Sequence, residues 1–85
     1  MGKIDLDYLS WGELKTIRWD DSISITGYAY YEIDKKRYPI LIFTHMPIDD
    51  FDNKKKRVET LTKDAIAGIH RRLKALEAVK EQHNG

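Results

Sequence analysis

The second half of the chain repeats apolar residues at steps of three and four: Leu61, Ala65, Ile66, Ile69, Leu73, Leu76 and Val79. That spacing predicts one amphipathic helix over about 59–82. Thr60 or Thr62 would cap its start, and Asn84-Gly85 suit its exit. Lys63, His70, Arg71, Lys74, Glu77 and Glu81 fall on the opposite, solvated side. Ile66, Ile69, Leu73 and Leu76 also fit two a/d heptads, short of the three or four that a coiled coil wants. The stripe therefore reads as core first and as a homodimer seam second. Gly68 sits mid-helix, where glycine costs about 1 kcal/mol against alanine. Close packing of the helix on its neighbour is the expected reason.

The first half changes period. Residues 22–33 and 37–46 are rich in β-branched and aromatic side chains and alternate by twos. A polar turn, Asp34-Lys35-Lys36-Arg37, separates them. With Lys35 and Lys36 as the central pair, Ile33 faces Tyr38, Tyr31 faces Ile40, Ala29 faces Ile42 and Ile25 faces Met46. The other side then pairs Glu32 with Pro39, Tyr30 with Leu41, Tyr28 with Phe43 and Thr26 with His45. The first side is a core face for the helix. The second is aromatic, which an ordinary solvated sheet face is not. Gly27 in mid-strand predicts a bulge or a close backbone approach.

The N-terminal stretch is open to two readings. Ile4, Leu6 and Tyr8 alternate with Asp5 and Asp7, as in a short strand. Ser10-Trp11-Gly12-Glu13 matches a capping box that would start a helix through Ile17. Residues 13–19 also read as a strand turning at Asp20-Asp21, with Trp19 facing Ile23 and Ile17 facing Ile25. The strand is preferred, because a lone two-stranded hairpin is marginal. The expectation is α+β: an antiparallel meander of three or four strands packed on one long C-terminal helix, a single domain over 1–85. The expected core is Ile17, Ile23, Ile25, Ala29, Tyr31, Ile33, Ile40, Ile42, Leu61, Ile66, Ile69, Leu73 and Leu76. Met46 to Asn53 is the connector.

Composition narrows the chemistry. The 85 residues include no cysteine, which excludes a disulfide scaffold and suits a reducing cytoplasm. No apolar run approaches the ~18 residues of a membrane span. The start shows no signal-peptide pattern and, with Leu6 at the diagnostic position, no myristoylation pattern. A bacterial or viral cytoplasmic setting is the expectation. The net charge of +1 hides an asymmetry: residues 1–53 carry −4, residues 54–74 carry +6 and residues 75–85 carry −1.

Enzyme chemistry has little to stand on. There is no cysteine, no Gly-x-Ser-x-Gly elbow and no glycine-rich phosphate loop. His45 with Asp49, Asp50 and Asp52 offers metal-ligand types, but the spacing is not an EF-hand, and an exposed acidic loop is the simpler reading. Asp20, Asp21, Glu32 and Asp34 have no apolar enclosure that would raise a carboxylate pKa. No catalytic residue, metal or cofactor is expected.

Binding residues are easier to find. Lys54, Lys55, Lys56 and Arg57 lead into the helix that bears Arg71, Arg72 and Lys74. Such cations can neutralise phosphates or steer an acidic partner. Tyr28, Tyr30 and Phe43 are candidate anchors, either stacking bases or filling a protein interface. A pI near 8.0 is low for a dedicated nucleic-acid domain. The sequence therefore favours a non-enzymatic module acting on a protein partner, with RNA or DNA binding as the alternative. Small regulators such as phage-type inhibitors of host machinery share this size and this lack of chemistry; that comparison is one of kind alone.

Overall fold

The computed structural model describes residues 4–84, with side chains through Val79. Three strands, β1 (Leu9–Arg18), β2 (Ser22–Ile33) and β3 (Lys36–Pro47), form one antiparallel sheet in the order β1-β2-β3. A short helix, α1 (Ile48–Asp52), and a long one, α2 (Lys54–Asn84), follow. The fold is α+β, an open meander backed by a C-terminal helix. The fourth strand is replaced by a 3-10 turn at Leu6–Tyr8. Asp5 explains the change: its carboxylate accepts from the Asp7 amide at 2.9 Å, a local bond that competes with strand pairing.

The β2–β3 hairpin is shifted from the expected register by two residues. Ile33 pairs with Lys36, Tyr31 with Tyr38 and Ala29 with Ile40. The loop is therefore Asp34-Lys35, and both residues adopt left-handed φ, 51° and 69°. A two-residue loop of that hand matches the twist of the flanking strands, whereas a Lys35-Lys36 centre would not use the tolerant aspartate. An even shift keeps every side chain on its expected face. An odd shift does not, and β1 shows one. Trp19 donates its amide to the Ser22 carbonyl at 2.9 Å, so Ile17 lies opposite Ser24 rather than Ile25. Ile17 consequently leaves the core and stands exposed on the far face of the sheet.

Ser10 and Glu13 belong to β1 rather than to a capped helix. The register of β1 slips between Trp11 and Leu14, and Gly27 sits across from that bulge. A Cβ on Gly27 would collide with the Glu13 carbonyl, which accounts for the mid-strand glycine.

The core lies between the sheet and α2. Ala29, Tyr31, Ile40 and Ile42 meet Ala65 and Ile69, with Leu61, Leu73, Leu14 and Ile33 around them. A second cluster, Ile23, Ile25 and Met46, is closed by Ile48, Phe51 and Leu61. Complete burial of an isoleucine such as Ile42 or Ile69 stabilises by about 1.5–3 kcal/mol. Ile66 and Leu76, expected inside, are half-buried, and Val79 at the far end of the stripe is exposed. Gly68 lets the helix close in: an added Cβ would lie 2.5 Å from Ile40 Cγ2.

The helix begins earlier than its apolar pattern suggests. Asn53 Oδ1 accepts from the Lys56 amide at 3.3 Å and caps the first turn. Thr60 instead bonds back to the Lys56 carbonyl inside the helix. Lys54 to Lys56 are good helix formers with no apolar signal, so periodicity alone could not find them. The helix runs through Asn84, while Gly85 and the side chains of Glu81 and His83 lie outside the described residues. Among the described residues no helix is long and apolar enough to cross a membrane.

Candidate docking face

Alternation along three strands builds the face of the sheet that α2 leaves uncovered. β2 contributes Ser24, Thr26, Tyr28, Tyr30 and Glu32; β3 contributes Arg37, Pro39, Leu41, Phe43 and His45; β1 contributes Lys15 and Ile17. Five large apolar side chains stand open there: Phe43 is 62% exposed, Leu41 58%, Trp19 54%, Tyr28 49% and Ile17 45%. They come from all three strands and the β1–β2 turn. Two of the expected anchors, Tyr28 and Phe43, thus lie on an open surface.

The third, Tyr30, is already engaged. Its ring covers Gly12 so closely that a Cβ there would come 2.8 Å from Tyr30 Cε2. The Arg37 guanidinium also sits over it, 4.7 Å from the ring centroid. Tyr30 therefore forms a fixed, half-buried end to the face. Trp11 and Leu14, from the segment best placed to cover this surface, stand instead in register with Ala29 and Gly27 on the helix side.

At the opposite end three polar groups form a chain. The Trp19 indole Nε1 donates to Ser24 Oγ at 2.9 Å, and Ser24 Oγ lies 2.8 Å from His45 Nδ1. Indole is a donor only, so Ser24 Oγ accepts from Trp19 and bridges it to the His45 ring. This fastens the Trp19 ring across the end of the sheet. Sequence reading places Leu41 on this face without naming it as an anchor, and it misses Trp19, whose place depends on the β1 register.

The expected cations are dispersed. Lys54 and Lys55 are exposed at the start of α2. Lys56 pairs with Asp50 at 3.6 Å. Arg57 donates to the Phe51 carbonyl at 2.8 Å and lies over the Phe51 ring at 5.1 Å. Arg72 covers Tyr38 at 5.1 Å. Arg71 reaches the groove beside Pro39 and Leu41, at the rim of the open face, while Lys74 shares a helix surface with His70 and Glu77. At roughly 100° per residue, Lys56, Lys63 and Lys74 share one line of the helix while Lys54 and Arg72 lie on the opposite one, so the cations divide between two sides.

Among the described residues no group of three His, Asp or Glu side chains is placed to hold a metal ion. Asp49, Asp50 and Asp52 are on α1, and Asp50 is taken by Lys56. No family model, curated protein or solved structure matches the chain.

Proposed function

We propose that this chain is a small non-enzymatic binding module that docks a protein partner on its open sheet face and acts by covering that partner's surface. The observation that carries the reading is the set Ile17, Trp19, Tyr28, Leu41 and Phe43, all exposed on one face. Monomeric proteins rarely leave so many large apolar side chains open on one face unless they are used. Aromatic anchors, with Lys15, Arg37 and Arg71 near the edge, have the make-up of an interface core and rim. Occlusion of this kind is how a phage-type inhibitor of host machinery would work, in a reducing cytoplasm that suits a chain without cysteine.

A nucleic-acid reading draws on Tyr28 and Phe43 as base-stacking rings. It is the weaker of the two, because Lys56, Arg57 and Arg72 already have partners within the chain and Leu41 and Ile17 offer nothing to a base. Capture from lysate with and without nuclease, read by mass spectrometry, separates the two. The proposal expects one protein partner that resists nuclease and is lost on Phe43→Ala or Tyr28→Ala, with mild salt dependence. Capture that disappears with nuclease, or falls steeply with salt, refutes it.

A further inference from the structure

The two edges of the sheet are built differently. Phe43 donates its amide outward, to Asp64 Oδ2 of α2 at 3.0 Å. By the alternation of antiparallel ladders, the odd-numbered residues of β3 are therefore those whose backbone groups face its free edge. Two of these are Pro39 and Pro47, which have no amide proton, and a third is held by Asp64. The helix passes close along this edge at Gly68. The β3 edge is interrupted by prolines and by the helix.

The β1 edge is not. The Trp19 amide bonds inward to Ser22, so Ile17 and Lys15 also bond inward. Leu14, Thr16 and Arg18 then turn their amides and carbonyls outward. No proline interrupts this run, and β1 packs chiefly on β2. The bulge after Trp11 limits the regular part to Leu14–Arg18. Its only charges are Lys15, on the open face, and Arg18, on the helix side. A second copy of the same strand would add two more cations and no acid within the run, a juxtaposition that edge strands use to refuse self-pairing. An acidic strand meets the opposite situation.

We infer that the free edge of β1 over Leu14–Arg18 takes up an extended, acidic segment of the partner as a fourth strand, continuous with the docking face. The inference rests on the protein-partner reading. Main-chain bonds to Leu14, Thr16 and Arg18 supply affinity, and Lys15 and Arg18 select glutamate or aspartate on either side of the added strand. Apolar partner residues on the open side extend the surface begun by Ile17 and Trp19.

The test uses the whole chain, labelled with nitrogen-15, and two blocked seven-residue peptides that alternate valine with glutamate or valine with lysine. The glutamate peptide is expected to move the amide resonances of Leu14, Thr16 and Arg18 saturably and to bind at least tenfold more tightly than the lysine peptide. Thr16→Pro, which removes an outward amide that the fold does not use, is expected to abolish the effect. The doubly substituted Lys15→Glu, Arg18→Glu chain keeps every amide and is expected to reverse the preference, so the outcome does not depend on how well the proline variant folds. Unmoved amides or an unreversed preference overturns the inference. So does an oligonucleotide that moves the same amides, or self-association of the free chain that Thr16→Pro removes. Phe43→Asp tests the wider reading separately: it should leave peptide binding intact while partner capture is lost, and capture that survives it counts against the docking face instead.

Discussion

Ser24 and His45 meet across β2 and β3 with Oγ and Nδ1 2.8 Å apart, and the same oxygen holds the Trp19 indole at 2.9 Å. Ser24 is 2% exposed, so its hydroxyl proton has little access to water. Without that oxygen the Trp19 indole N–H loses its acceptor. The expected outcome is that Ser24→Ala shifts the Trp19 indole N–H resonance and speeds its exchange with water, while the Trp11 indole signal stays where it was. A Trp19 signal indifferent to the substitution would count against the chain of bonds.

Asp64 binds Phe43 N at 3.0 Å and Thr44 Oγ1 at 2.9 Å through one carboxylate oxygen. Asp64→Ala removes both bonds and should lower stability by about 1–3 kcal/mol. Urea denaturation measures the loss, and faster exchange of the Phe43 amide would localise it to the β3 edge.

Gly68→Ala sets two effects against each other. Helix propensity alone predicts a gain of about 1 kcal/mol. The new methyl would lie 2.5 Å from Ile40 Cγ2, and overpacking of this kind costs roughly 1–3 kcal/mol. The steric term should win, and the melting temperature should fall.

Lys35 holds φ at 69° in the two-residue loop, a conformation that costs an L-residue roughly 1–2 kcal/mol. Lys35→Gly should therefore raise stability, by about 1 kcal/mol once the greater freedom of glycine in the unfolded chain is counted. Equilibrium unfolding would show it as a higher midpoint with an unchanged slope.

These residues also mark where sequence pattern suffices and where it stops. The period of two assigns Ile23, Ile25, Ala29, Tyr31, Ile40 and Ile42 to the core and Tyr28 and Phe43 to the outside, because alternation is blind to an even change of register. It fails at Ile17, where the pairing of Trp19 with Ser22 is set by loop geometry and differs by one residue. It fails again at Asn53, since a cap followed by three lysines has no apolar period to announce it. The basic run looked like one surface because neighbours in sequence look like neighbours in space. On a helix they fan out, and Phe51, Asp50 and Tyr38 each claim one of the expected cations.

The strand order has a consequence in time. During synthesis β1 leaves the ribosome before β2, and β2 gains its own support from β3 and α2, which are made later still. The packed face of β1 is therefore completed by elements that follow it. Whatever meets β1 in the interval finds it unclaimed.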